Sequence, residues 1–241
     1  MTADATSHAP PETSPAPGPG DIWVFGYGSL MWRPAFPFVE RARATITGYH
    51  RAFCVASTHH RGTEQRPGLV LGLDRGRACV GVAYRVAAAD AAHTVAYLRV
   101  RELIYGVYRE ARVHARLHTD PHRDVQALAY IVERAHPSYM GRLPSARQIE
   151  LIRGARGGSG TNLDYLINTV RHLRELDIRE PALDRLAARA GGYACQVAPG
   201  ALVRPAAAAL RAEWARRPVA VHRLRLPERR RFGHRLRVGQ S

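Results

Sequence analysis

Lysine is missing from this chain of 241 residues, and every one of its 36 basic side chains is an arginine. That absence excludes Schiff-base chemistry on a lysine, and it excludes the lysine of a nucleotide-binding P-loop. Cysteine is scarce: Cys54, Cys79 and Cys195 are odd in number, far apart and in no C-x-x-C pair. They supply neither a disulfide framework nor a cysteine-ligated zinc, and they fit a reducing, cytoplasmic setting. No apolar run approaches the roughly 18 residues of a membrane span, so no membrane partner is expected. The opening segment, MTADATSHAPPETSPAPGPG, has neither a cationic start nor an apolar core, and it does not read as a secretory signal.

What is abundant is positive charge. The formal net charge is +16, which raises nucleic acid as a partner. The chain is rich in Ala, Arg, Gly and Pro, the mark of a GC-rich genome, and codon bias supplies Arg wherever a charged surface residue is needed. We read most of the charge as background. The exception is the stretch from 203 to 241, with Arg216-Arg217, Arg223, Arg225, Arg229-Arg230-Arg231, Arg235 and Arg237. It reads either as a basic arm for nucleic acid or as a solvated extension, and the second is the simpler reading.

Three regions follow from composition: a Pro/Ala/Thr/Ser-rich segment at 1–20 without apolar periodicity, a packed domain at 21–190, and the Arg-rich extension at 191–241. From Ile22 to Ile131 the chain reads mainly as strands, at 22–27, 42–49, 52–57, 69–74, 79–86, 109–116 and 125–133. One helix, 88–101, interrupts them. The second half turns helical. Ser145-x-x-Gln148 after Pro144 gives a capping-box signal, and Thr161-x-x-Asp164 a looser one. Leu163, Leu166, Ile167, Val170 and Leu173 give the helix 162–177 an apolar face, and a shorter helix follows Pro181. Strands first and helices later make an α+β domain with a mixed or antiparallel sheet. Closure of that sheet into a small barrel suits this many short strands, but the pattern leaves it open.

The most informative stretch is Val24-Phe25-Gly26-Tyr27-Gly28-Ser29-Leu30. It starts as a buried strand. Gly26 and Gly28 then let the backbone turn and leave N–H groups open to a small polar or anionic group. It is not a dinucleotide fingerprint, because Met31-Trp32-Arg33-Pro34 breaks the chain where a helix would start. Three further features matter. Thr58-His59-His60-Arg61-Gly62 is a polar turn, and two adjacent His are poor metal ligands, so no metal site is assigned. Glu102 ends the helical stretch, where a carboxylate opposes the helix dipole. Gly157-Gly158-Ser159-Gly160-Thr161 precedes a helix whose N-terminus can face an anion.

Taken in order, the motifs resemble one family. V-F-G-Y-G-S-L-M-W at 24–32, S-T-x-H-R-G at 57–62, P-G-L-V at 67–70 and G-V-A-Y-R-V at 81–86 come first. Y-L-x-x-R-E at 97–102, P-x-Y-M-G at 137–141 and G-x-S-G-T-N-x-D-Y-L at 157–166 follow. The chain, from about 22 to 190, resembles the ChaC family of glutathione-specific γ-glutamylcyclotransferases. The resemblance implies a cyclotransferase-type β-barrel with peripheral helices, no cofactor, and cleavage of glutathione to 5-oxoproline and cysteinylglycine. It implies a substrate-binding loop at Gly26, Tyr27, Gly28, Ser29 and Leu30 on the strand of Val24 and Phe25. It also implies a catalytic carboxylate at Glu102 and a site tyrosine at Tyr165. Asp164 departs from the Glu of many relatives.

The implied reaction suits the residues present. Its nucleophile is the substrate's own α-amino group, so no Ser, Cys or Lys nucleophile is required. A single carboxylate, Glu102, can take the ammonium proton and return it to the leaving nitrogen. It would work best with a raised pKa among apolar neighbours such as Tyr97, Leu98 and Tyr105. Arg101 would oppose that shift, but adjacent side chains on a helix point apart. Arg61 and the helix start near Thr161 are candidates for the glycyl carboxylate. The competing expectations are the same chemistry on other γ-glutamyl dipeptides or γ-glutamylamines, and a nucleic-acid-binding role for the Arg-rich end.

Overall fold

The computed structural model describes residues 20–103 and 105–191, and five strands among them close into a barrel in the order β1-β3-β2-β4-β5. The strands are β1 (Ile22–Gly26), β2 (Glu40–Ser57), β3 (Gly68–Val86), β4 (Tyr108–Leu117) and β5 (Arg123–Val132). Neighbours run antiparallel except at the seam, where Trp23 and Val24 of β1 lie parallel to Ala127 and Leu128 of β5. The sheet is therefore mixed and closed, and closure removes its edges. The expected segments 1–20 and 191–241 lie, but for Gly20 and Gly191, outside the described residues, as does Cys195.

The sequence pattern divides the central hairpin into four strands, whereas the structure has two, of 18 and 19 residues. The interruptions are bulges, with register shifts at Thr47/Tyr49 and Phe53/Val55. Gly48 carries a φ of +83° at the first of them, a conformation glycine adopts without steric cost. A bulge bends a strand without ending it, so turn-like composition at 48–51 marks a bend. β2 meets β4 only through Ala44, Thr45 and Ile46, and beyond them the hairpin is backed by other parts of the chain. There Val55 bridges Tyr139, and Asn162 donates to the Leu69 carbonyl at 2.8 Å and accepts its N–H at 2.6 Å.

Helix α1 (Ala88–Glu102) connects β3 to β4. Its first N–H, on Ala88, donates to the Asp21 carboxylate at 2.9 Å. Helices α2 (Ser145–Gly154), α3 (Asn162–Glu175) and α4 (Pro181–Gly191) pack together, and the two-residue strands β6 (Arg156–Gly157) and β7 (Gly160–Thr161) form a small ribbon ahead of α3. The Thr161 cap forms as expected, its hydroxyl accepting the Asp164 N–H at 3.0 Å. The capping box at Ser145 does not form. Pro144 takes the N-cap position with extended dihedrals, Ser145 is already helical, and Gln148 reaches back to the Leu143 carbonyl at 2.8 Å. Leu166, Val170 and Leu173 of α3 are buried with Leu183, Leu186 and Ala187 of α4, which gives the helical layer its apolar centre. Among the described residues no helix is long and apolar enough to cross a membrane.

Candidate active site

The site begins where β1 ends. Val24 and Phe25 have no exposed surface and pair with Tyr84 and Ala83 of β3, so their side chains belong to the barrel core. What they give the site is the fixed position of the chain that follows. A short 3-10 turn, Ser29–Met31, follows directly, closed by the Met31 N–H on the Gly28 carbonyl at 2.9 Å. Such a turn leaves the N–H groups of Gly28, Ser29 and Leu30 without an acceptor inside the helix. Leu30 itself is buried.

Neither glycine has a positive φ, and the space around the two differs. A side chain on Gly26 would meet the Leu30 Cβ at 3.0 Å and the Met31 nitrogen at 3.2 Å, so the close return of the 3-10 turn favours glycine there. Gly28 stands at φ −126° and ψ −133°. A Cβ there would sit 3.6 Å from Leu71 and 3.9 Å from the Tyr165 hydroxyl, contacts that are tolerable but that would fill the space beside that phenol.

A buried arginine fixes the loop from below. Arg51 of β2 donates through Nε to the Tyr27 carbonyl and through Nη2 to the Val80 carbonyl at 2.7 Å, and it pairs with Glu180 just ahead of α4. Trp32, past the turn, stacks on His172 of α3 with ring centroids 4.7 Å apart. The loop is thus held between the barrel and the helical layer.

Glu102 arrives from the opposite direction, as the last residue of α1. The expectation that Arg101 points away from it is wrong. Arg101 Nε lies 3.0 Å from Glu102 Oε1, because at the helix end no following turn keeps the two side chains apart. The same guanidinium reaches Ser29 Oγ at 2.9 Å and the Arg33 carbonyl at 2.8 Å, so Glu102 and the 26–30 loop share a contact. Burial pushes the Glu102 carboxyl above its ordinary range, and the charge and hydrogen bond of Arg101 oppose the shift without cancelling it.

Of the neighbours expected for Glu102, Leu98 is fully buried one helical turn before it, Tyr97 accepts a hydrogen bond from Arg101 at 3.1 Å, and Tyr105 is exposed and stacked on His59 at 5.0 Å. Four further phenols, of Tyr27, Tyr108, Tyr130 and Tyr165, feel its charge. Burial raises all four phenols, and the negative charge of Glu102 raises each of them further. Tyr165 is pushed up to about 12, and Tyr108 donates to the Leu71 carbonyl at 2.7 Å. These hydroxyls hold their protons at neutral pH, which leaves Glu102 as the group among them suited to moving one.

Arg61 closes the arrangement on the helical side. Its guanidinium lies 5.3 Å from the centroid of the Tyr165 ring and donates to the Thr161 carbonyl at 3.2 Å, so Arg61, Tyr165 and the start of α3 do come together. Phe53 meets the edge of the same ring at 5.8 Å. Among the described residues no group of three His, Cys, Asp or Glu is placed to hold a metal ion. Reasoning from sequence missed Arg51, Tyr108 and Tyr130. Arg51 lies in a strand whose pattern does not distinguish it from surface arginines, and Tyr108 and Tyr130 read as ordinary strand aromatics. Arg101 was visible as the partner of Glu102 in R-E, but its direction was misjudged.

Comparison with known proteins gives the family. A family model described as ChaC-like protein matches residues 22–190. The glutathione-specific γ-glutamylcyclotransferase of Escherichia coli K12 is 35% identical over 189 residues, covering 78% of this chain and 81% of that protein. Glutathione-specific γ-glutamylcyclotransferase 1 of Mus musculus is 38% identical over 173 residues, covering 67% of this chain and 78% of its own length. A crystal structure of a γ-glutamyl cyclotransferase specific to glutathione from yeast superposes with a TM-score of 0.66 at 24% identity, covering 72% of this chain and 97% of that one. At that identity the superposition speaks for the fold.

Proposed function

The chain belongs to the ChaC-like family, and on that premise we propose that it cleaves glutathione to 5-oxoproline and cysteinylglycine, with Glu102 carrying the proton. The observation that carries the assignment of Glu102 is its link through Arg101 to Ser29 of the 26–30 loop, in a buried setting that raises its pKa. The nucleophile is the substrate's α-amino group and the electrophile its own γ-carbonyl. The Glu102 carboxylate takes a proton from the ammonium, and the freed amine attacks to close a five-membered ring. The tetrahedral oxyanion is met by N–H groups of the loop, as in other acyl transfers. The attacking nitrogen, positively charged after ring closure, gives up a second proton. The bond to the cysteinyl nitrogen breaks as Glu102 returns its proton there, and the second proton ends on the same nitrogen, so that cysteinylglycine leaves as its ammonium form. Closing a ring within one held molecule can lower a barrier by roughly 7–11 kcal/mol, so orientation supplies a large share of the rate.

The loop Gly26-Tyr27-Gly28-Ser29-Leu30 holds the γ-glutamyl end, and Tyr165 walls the reacting centre. Arg61 receives the glycyl carboxylate, because it is a cation lying against Tyr165 and the start of α3 and is not held in an ion pair among the described residues. Residues 21–190 form the catalytic unit, and 191–241 take no part in the chemistry in this reading. The free, buried thiols of Cys54 and Cys79 suit a reducing cytoplasm, where this substrate is kept as a thiol.

The test is incubation of the purified protein with glutathione, following 5-oxoproline and cysteinylglycine by chromatography. Equimolar formation of the two is expected. A folded Glu102→Gln variant should bind glutathione and release almost no 5-oxoproline. Wild-type turnover by that variant, or no product from the native chain, refutes the reading. A γ-glutamyl dipeptide without the glycine should be a far poorer substrate.

A further inference from the structure

We propose that Arg101 is a positioning residue, whose single guanidinium locks the proton-carrying carboxylate of Glu102 to the loop that holds the γ-glutamyl group. The proposal rests on the assignment of Glu102 as the group that carries the proton.

The geometry is that of a fork with each prong occupied. Nε faces Glu102 Oε1 at 3.0 Å, at the end of α1. Nη2 donates to Ser29 Oγ at 2.9 Å, inside the loop. Nη1 donates to the Arg33 carbonyl at 2.8 Å and to the Tyr97 hydroxyl at 3.1 Å, where the loop leaves the barrel. One rigid planar group therefore bridges a helix end, a loop and the chain beyond it. An ammonium is a point charge and cannot hold those directions together. Ring closure needs the amine, the γ-carbonyl and the base within a few tenths of an ångström of a productive arrangement. A misplacement of about 1 Å can cost about 100-fold in rate. The connection between the base and the loop decides whether that arrangement exists before substrate binds.

Arg101 also sets the acidity at which the base works. The titratable groups of the other elements that feel the Glu102 charge are the phenols of Tyr27 after β1, Tyr108 on β4, Tyr130 on β5 and Tyr165 on α3. All are neutral at working pH. Arg101 is the cation whose charge and hydrogen bond act against the upward pull of burial on Glu102. With that charge removed, Glu102 keeps its proton to higher pH. The fraction of enzyme with a working base then falls at a given acid pH, and the acid limb of the rate profile moves up.

The experiment compares pH profiles of kcat/KM for glutathione in the full chain and in Arg101→Gln, Arg101→Lys and Glu102→Gln, with circular dichroism to verify folding. For Arg101→Gln, a drop of about 100-fold in kcat/KM and an acid limb displaced to higher pH are expected. For Arg101→Lys, the acid limb should return towards that of the native chain while kcat stays low, because the charge is restored but the fork is not. A folded Arg101→Gln with the native acid limb overturns the proposal. If Arg101→Gln does not fold, native kcat in Arg101→Lys overturns it instead. The two levels separate cleanly: turnover by Glu102→Gln would refute the base itself, whereas an inactive Glu102→Gln with an unshifted Arg101→Gln would refute only the coupling.

Discussion

Asp74 on β3 and Glu102 at the end of α1 are both carboxylates drawn out of water beside an arginine, yet their acidities move in opposite directions. Both side chains show little surface, 9% for Asp74 and 18% for Glu102, but Glu102 is packed much more deeply among protein atoms, so burial weighs more heavily on it. The number of donors aimed at each adds to the difference. Burial pushes Asp74 up, but Arg134 at 2.6 Å, the Tyr139 hydroxyl at 2.8 Å and the Arg75 N–H at 2.8 Å together hold it below its ordinary value. Burial pushes Glu102 up as well, and one arginine is not enough to reverse it. A carboxylate held by several donors is fixed in its charged form and serves structure. One left with a single partner among phenols can exchange its proton, and that is the condition for general acid–base work.

The widest separation between the two should appear in turnover. Glu102→Gln is expected to lower kcat by about 10²–10⁴-fold, the usual contribution of a positioned acid–base group. Asp74→Asn should leave kcat within a few-fold of the native chain, as measured by 5-oxoproline release. Comparable losses in both variants would erase the distinction. Next in size is the effect of substrate anchoring. Arg61→Leu should raise the KM for glutathione about tenfold, the loss of one charge-assisted hydrogen bond, with little change in kcat. An equal rise for a γ-glutamyl dipeptide lacking glycine would show that Arg61 does not face the glycyl carboxylate.

Stability should separate the pair in the reverse sense. Asp74→Asn leaves donors imperfectly matched and should cost about 1–3 kcal/mol at neutral pH, read from urea unfolding. The depressed pKa fixes the pH dependence. The stabilisation by Asp74 is fully present above its ordinary pKa of 3.8 and is lost as pH falls through the lower folded value. The gap between native chain and variant should therefore hold from neutral pH down to about pH 4 and close below it. A gap that widens in acid would contradict the assignment.

Much of the fold was legible in the sequence because it rests on local patterns. β1, α1, the cap at Thr161 and the apolar face of α3 follow from alternation, helical spacing and a hydroxyl at the right position. The long hairpin was misread because a bulge and a turn have the same glycine-containing composition, and only cross-strand register separates them. Closure was legible through the family resemblance and not through the strand pattern, since the parallel seam between β1 and β5 joins segments far apart in the chain. In the site, Tyr27, Ser29, Glu102 and Tyr165 stand out through ordered motifs. Arg51, Tyr108 and Tyr130 do not, because their roles come from which side of a closed barrel they face. Arg101 shows the limit in another way: its residue type was read correctly and its direction was not, and direction at a helix terminus is a tertiary property.

The smallest effect tests the comparison from the side of folding. Glu102 has a folded pKa above its ordinary 4.5, so the native state binds a proton more readily than the unfolded chain does. Stability then falls as pH rises from about the ordinary value through the raised one, and at neutral pH the ionised carboxylate is a net cost. Glu102→Gln removes the charge and keeps an oxygen that can accept from Arg101 Nε. The variant should melt slightly above the native chain at neutral pH, and its advantage should vanish below about pH 4. Asp74→Asn should melt lower over the same range. Scanning calorimetry at several pH values would show the two curves diverging from the native one in opposite directions. A Glu102→Gln variant that melts lower at neutral pH and recovers in acid would mean that Glu102 is a structural anchor like Asp74.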